Sequence, residues 1–234
     1  MRAVKVATWN LEWAVPASGT ESRIREILED LEADILVLTE ASTHTVPSGG
    51  HVISAEGSWG YSPKHQTHRK VFLWSKTAWE HVDQIGPDGL PTGRFVAATT
   101  TTSLGATRVI GMCIPWKDAH VRTGSRDRAP WEDHRAYIRV VRETLSSATA
   151  PVVVAGDFNQ KIPRKNAPRE IAEELLGALG NLRVATVSSG ADALIDHIAH
   201  SADLKGRLIS TLPRSDERGR LTDHLGAVVE LSRG

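Results

Sequence analysis

Five times along this 234-residue sequence, a run of strand-forming residues ends in, or just contains, a short polar island. The islands are Thr8-Trp9-Asn10-Leu11-Glu12, Leu38-Thr39-Glu40, Gly156-Asp157-Phe158-Asn159, Ile195-Asp196-His197 and Thr222-Asp223-His224. Asn, Asp and Glu are poor strand formers, and their side chains are costly to bury without partners. A chain that closes strand after strand with them gathers side chains at one rim of a sheet. Several oxygen ligands and a histidine converging on one point suit a hard divalent cation and a phosphate.

The segments between the islands alternate between strand and helix. Ala3 to Trp9 alternates and reads as a first strand. Ser22 to Leu31 places Ile24, Ile27, Leu28 and Leu31 at helical spacing, with Thr20 or Ser22 as the N-cap. Asp34 to Thr39 is a short apolar run of the kind buried on both faces. Strands are further expected at 51–55, 71–74, 151–155, 194–200, 207–212 and 226–231, with a hairpin joining 95–102 to 107–114. Helices are expected over 136–145, begun near Pro130, and over 170–179, closed by Gly180. No repeat, low-complexity tract or linker interrupts the pattern, so one domain over 1–234 is expected.

Composition narrows the function. Lys plus Arg number 28 and Asp plus Glu 28, giving zero formal charge. A dedicated binder of double-stranded DNA usually carries a basic surplus, although a local basic rim is compatible with a balanced total. Two loops supply such a rim: 115–130, with Lys117, His120, Arg122, Arg126 and Arg128, and 160–169. A single cysteine, Cys113, excludes an intramolecular disulfide framework. The sequence starts without a basic-then-apolar leader and holds no apolar run of membrane-spanning length. A cytoplasmic monomer with no membrane anchor is expected.

In order and spacing the five islands resemble the signature of the endonuclease/exonuclease/phosphatase superfamily. Its fold is shared by DNase I-like nucleases, abasic-site endonucleases, inositol-phosphate phosphatases and sphingomyelinases. The resemblance runs from Thr8 to His224. Any one island occurs by chance, whereas five in the family's order form a specific signal. It implies a four-layer α/β sandwich, with two mixed β-sheets packed face to face and helices outside.

The resemblance also implies roles. Glu40 would be the principal metal ligand, with Asn10 beside it and Asp223 contributing from the far end. Glu12, two residues after Asn10 and on the same face of an extended segment, would bind the ion directly or through water. The ion would be Mg²⁺, with Mn²⁺ as a substitute, since one or two carboxylates plus an amide suffice for a cation that keeps its waters. Asp157 would orient or deprotonate the attacking water, and Asn159 would donate to a phosphoryl oxygen and help hold Asp157. Asp196 would pair with His224, fixing its tautomer and leaving the other nitrogen for phosphate. Each has a plainer reading: a solvated strand end for Glu40, an Asx-turn for Asp157 and Asn159, and structural histidines in a chain with ten of them. His197 is read as structural.

One position departs from the family pattern. Many members carry a His or Tyr where this chain has Cys113, in Gly111-Met112-Cys113-Ile114-Pro115-Trp116. A thiol is a weak hydrogen-bond donor. Either Cys113 is a buried filler, or the donor has moved to Lys117, His120 or Arg122 in the next loop. Arg69 and Lys70, leading into a strand, are further candidates for phosphate contact, with simple exposure as the plainer reading. Among seven tryptophans, Trp9, Trp74 and Trp79 read as core. Trp59 and Trp116 lie on loops, where they pack on the surface or stack a base or sugar.

The leading expectation is a metal-dependent phosphoester hydrolase, a nuclease or other phosphodiesterase that uses metal-activated water. The alternatives are a phosphatase acting on a small-molecule or lipid phosphate, and a non-catalytic module that binds phosphate or nucleic acid. The last has no physical need for a cluster of mutually repelling carboxylates.

Overall fold

Seven of the strands precede the loop 114–131, and seven follow it. The computed structural model describes residues 2–14, 19–61, 65–188 and 193–234. In chain order these form β1 (Val4–Asn10), α1 (Thr20–Asp30), β2 (Ile35–Ser42), β3 (His51–Ser54), β4 (His68–Ser75), β5 (Trp79–Asp83), β6 (Phe95–Thr102) and β7 (Gly105–Cys113). They continue as α2 (Glu132–Ser147), β8 (Val152–Asp157), α3 (Arg169–Leu179), β9 (Arg183–Val184) and β10 (Asp196–His200). The last are β11 (Leu204–Leu212), β12 (Ser215–Asp216), β13 (Gly219–Arg220) and β14 (Gly226–Arg233).

Two six-stranded sheets result, ordered β11-β14-β1-β2-β4-β3 and β5-β6-β7-β8-β10-β9, beside a small β12-β13 ribbon. Each large sheet has one parallel pair at its centre, β1 with β2 and β7 with β8, flanked by antiparallel partners. A parallel pair needs a crossover, and α1 and α2 supply the two. The inner faces meet in a core that includes Val6, Val37, Leu73, Val109, Val153 and Val229. On the outside, Ile24 and Leu28 of α1 pack on Leu36, Leu38 and Trp9. On the opposite outer face, Tyr137, Ile138 and Leu175 of α2 and α3 pack on Ile110 and Val154. The architecture is therefore a four-layer α/β sandwich.

Two glycines hold the sheets close near the rim. A Cβ at Gly111 would lie 2.8 Å from both Leu73 and Val71 of the facing sheet. At Gly156, which takes φ 138°, a Cβ would lie 1.9 Å from the Met112 carbonyl oxygen. No other residue fits there without moving the backbone that carries Asp157.

Three of the differences from the sequence reading concern a helix cap, a strand end and an edge strand. Neither Thr20 nor Ser22 caps α1: Gly19 does, at φ 69°, without a side-chain hydrogen bond to the helix. The Ser22 hydroxyl instead donates back to the Gly19 carbonyl (2.9 Å). β2 does not stop at Thr39 but runs on to Ser42, with Glu40 inside it at φ 48°. β5 carries no strand signal in the sequence: Trp-Glu-His-Val-Asp lies at a sheet edge, with no buried face to impose alternation.

Candidate active site

The topology explains why the islands meet. β1 and β2 run parallel, as do β7 and β8, so Asn10, Glu40, Cys113 and Asp157 all lie at or near the C-terminal ends of these strands. β10 is antiparallel to β8 and pairs Asp196 with Asp157, and the segment entering β14 returns His224 to the same rim. Three island residues other than glycine, Glu12 (φ 46°), Glu40 (φ 48°) and Asn159 (φ 53°), sit in the left-handed region. Such backbone costs on the order of 1–3 kcal/mol and persists where surrounding contacts impose it.

Asn10 is the hub. Its backbone N–H donates to Asp196 Oδ2 (2.7 Å), and its side-chain amide donates to Asp157 Oδ2 (3.0 Å). Its own oxygens accept from the Glu12 N–H (2.9 Å) and the Thr222 hydroxyl (2.8 Å). Asp157, buried, also accepts from the Asn159 N–H (2.8 Å) and the Asn159 amide (2.9 Å). The second amide hydrogen of Asn159 goes to the Ile114 carbonyl (2.8 Å). A phosphoryl oxygen would therefore have to displace Ile114 or Asp157 to use that donor.

His224 completes the network. Its Nδ1 donates to Asp196 Oδ1 (2.9 Å), and its Nε2 faces the exposed Asp223 carboxylate at 3.6 Å. The backbone is held from behind by Trp9, whose indole donates to the His224 carbonyl (3.2 Å). Burial works against the imidazolium, but the Asp196 charge and hydrogen bond, with Asp157 and Asp223, outweigh it and raise His224 to about 10. Burial raises Asp157 to about 7: the Asp196 and Glu40 charges add to it, while His224 opposes. The pair thus consists of a carboxylate that exchanges its proton near neutrality and an adjacent imidazolium that keeps its own.

Glu40 stands to one side, its carboxylate accepting from Lys70 Nζ at 2.5 Å. The ammonium also lies 5.0 Å from the ring centroid of Trp13. Trp13 is a site residue that the sequence does not mark out. It stacks on Trp59 at 5.5 Å and on His68 at 5.0 Å, forming a wall beside Glu40 and Lys70.

The donor set fits a hard cation at Glu40. That carboxylate is partly exposed and, among the described residues, bonded only to a side-chain ammonium, and Asn10 adds an amide oxygen with one lone pair uncommitted. Asp157, Asp196 and His224 also present ligand atoms within 4.8 Å of one another. Both oxygens of each of those carboxylates are already hydrogen-bonded, so this trio is better suited to handling protons than to holding an ion.

The remaining candidates fall outside this cluster. Glu12 is turned to the surface, where Arg220 holds both of its oxygens. Arg69 spends one guanidinium nitrogen on the carbonyls of Gln66 and His68. Both ring nitrogens of His120 are engaged, Nδ1 by Ser125 and Nε2 against the Trp59 carbonyl (3.3 Å), so a phosphate contact would break one of them. Lys117, Arg122 and Trp116 are exposed on the loop after β7, and Lys117 lies 3.7 Å from Asp118. Trp59 is buried against Trp13, which removes one of its faces from any base or sugar. Cys113 is buried in the core between the sheets. His197 is buried between Thr186 and the Gln160 carbonyl, and burial lowers it to about 4.

The sequence matches the Endonuclease/Exonuclease/phosphatase family model over residues 7–224. The chain belongs to that family. Its members hydrolyse phosphoester bonds and generally depend on a divalent metal. Similar solved structures include an endonuclease/exonuclease/phosphatase from Beutenbergia cavernae, with a TM-score of 0.69 at 17% identity over 100% of this chain and 72% of that one. A 3' phosphatase, NExo from Neisseria, bound to product DNA hairpin, gives 0.65 at 22% identity over 99% and 100%. The catalytic domain of human Nocturnin with bound sulfate gives 0.67 at 20% identity over 99% and 94%. No curated protein matches by sequence. No helix among the described residues is long and apolar enough to cross a membrane.

Proposed function

We propose that this family member is a divalent-metal-dependent phosphodiesterase acting on nucleic acid. The observation that carries the reading is the buried network joining Asp157, Asn10, Asp196 and His224, in which a carboxylate near neutrality adjoins a stable imidazolium. Asp157 takes the proton of the attacking water, a task best served by a group that titrates near the working pH. Asn10 and Asn159 fix both of its oxygens, so the base does not rotate. His224, oriented by Asp196, donates from Nε2 to a phosphoryl oxygen as negative charge develops there. A Mg²⁺ or Mn²⁺ ion held by Glu40 and Asn10, with Asp223 recruited from the rim, would supply Lewis-acid charge at the phosphoryl group.

Nucleic acid is favoured over a small phosphate by the loops around the site. The basic loops 115–130 and 160–169 leave the C-terminal ends of β7 and β8, on the rim that holds Asp157. Arg122, Arg126, Lys161 and Lys165 make no ion pair with any described residue and are free for neighbouring phosphates.

The test is hydrolysis of single- and double-stranded DNA, RNA, abasic-site DNA and phosphorylated small molecules, each with Mg²⁺, Mn²⁺ or EDTA. Nucleic-acid cleavage that needs metal and disappears in Asp157→Asn is expected, with a rate rising through about pH 7 and falling toward pH 10. Full activity in EDTA or in the variant refutes the mechanism. Turnover of small phosphates alone refutes the substrate class.

A further inference from the structure

The site holds a cation beside Glu40, on the same rim where Cys113 closes β7. Burial pushes that thiol up to about 12, so it stays neutral and donates weakly. Of the charged groups around it, Lys70 acts most strongly, ahead of Asp157, Arg94 and Glu40. The ladder between β2 and β4 explains this placement. Thr39 pairs with Val71 and Ala41 with Arg69, so Lys70 stands directly across from Glu40 on the same face. Its side chain is only 10% exposed, and Trp13 covers one side of the ammonium at 5.0 Å. Among the described residues, its ion pair is with Glu40 alone.

We propose that Lys70 contacts the substrate's phosphoryl group, replacing the donor absent at Cys113 and exchanging Glu40 for phosphate oxygens on binding. This rests on the hydrolase reading above. A largely covered ammonium is costly to leave without a partner. With Glu40 given over to a metal ion, Lys70 would be left within the site without its carboxylate, and a phosphate oxygen would take that place. The wall of Trp13 and Trp59 keeps the ammonium facing the rim instead of letting it swing into solvent. Neither Lys117 nor Arg122 is so constrained, being exposed on a loop.

The test uses the full chain at saturating Mg²⁺ with inorganic phosphate as probe, monitored by titration calorimetry. Melting curves confirm the fold of Lys70→Met, Lys70→Arg and Cys113→Ser. Lys70→Met is expected to bind phosphate at least about 10-fold more weakly, yet to bind Mg²⁺ at least as tightly, because Glu40 has lost its competing partner. Lys70→Arg should retain most of the phosphate affinity, and Cys113→Ser should match the wild type. If Lys70→Met is unfolded, Lys70→Gln, neutral and of similar reach, takes its place in the comparison. On hydrolysis, the neutral variant should lose about 10² in kcat. Wild-type protein that binds phosphate no better than the neutral variant overturns the proposal, as does a neutral variant that loses only Mg²⁺ affinity. The hydrolase reading is judged separately, by metal-dependent turnover of wild type against Asp157→Asn.

Discussion

Replacing Asp196 by Asn removes one charge and almost no volume, and the surrounding hydrogen bonds determine the effect. The Asp196 carboxylate accepts from the Asn10 N–H at 2.7 Å and from His224 Nδ1 at 2.9 Å. An Asn offers one acceptor and one donor group. Its oxygen must face the buried Asn10 N–H, which has no other acceptor, so its NH₂ faces His224 Nδ1. A donor there is compatible only with an unprotonated Nδ1, and the ring becomes neutral with its hydrogen on Nε2. In the wild type His224 stands at about 10 against an ordinary 6.5, a gap of 10 − 6.5 = 3.5. At about 1.36 kcal/mol per unit, that is roughly 5 kcal/mol of support for the imidazolium. The Asp196 charge and hydrogen bond lead the causes that raise it, so the variant's His224 should fall by about 2 units, with burial pulling it further down. The assay is a histidine-ring NMR titration of the metal-free protein, paired with the pH dependence of kcat/KM. At pH 9 the imidazolium should then be depleted about tenfold relative to the wild type, and kcat/KM there should drop by about tenfold, because the neutral ring's Nε2–H is the weaker donor. A His224 that still carries its proton above pH 9 in Asp196→Asn would refute the reasoning.

The same geometry makes two further predictions. His224, raised in the fold, contributes stability that is present below 6.5 and lost as pH rises through 10; His134 and His197, lowered by burial to about 4, contribute stability present above 6.5 and lost as pH falls through 4. The melting temperature of metal-free protein should accordingly decline on both sides of about pH 6.5, and a profile rising from pH 7 to pH 10 would contradict this. Glu40→Gln should weaken Mg²⁺ binding at least about 10-fold, whereas Glu12→Ala, which frees only the exposed Arg220, should leave it within about twofold by calorimetry. Equal losses would mean that Glu12 leaves Arg220 to reach the ion.

The islands are legible because each joins a strand-forming run to side chains a strand end has no local reason to carry. Asn10, Asp157, Asp196 and His224 can be named from order alone and do converge in the structure. Register is what a sequence withholds. Lys70 meets Glu40 only because β4 pairs antiparallel with β2 in one alignment, and a slip by one residue would turn it to the other face. Trp13 gives no periodic signal, since it lies just past a strand at φ 57°, and its stacking on Trp59 spans two loops. His120 shows the converse: a polar ring on a basic loop looks available until the loop's own contacts with Ser125 and Trp59 are known. The cap at Gly19 escapes a sequence reading because Thr20 and Ser22 have the right chemistry for capping, while the glycine beside them has the right backbone.

The pairing of β1 with β14 sets an order of assembly. The second sheet uses only residues 79–200, whereas the first takes its strands from both sides of that stretch. On the ribosome the second sheet can therefore form while β1 still waits for its neighbour. Val4 meets Leu231, and the Thr222 hydroxyl reaches the Asn10 carbonyl across a separation of 212 residues. Contacts so distant in sequence close slowly and late. A nascent chain can thus carry Asn10, Glu40 and Asp157 on folded or half-folded strands and still lack His224.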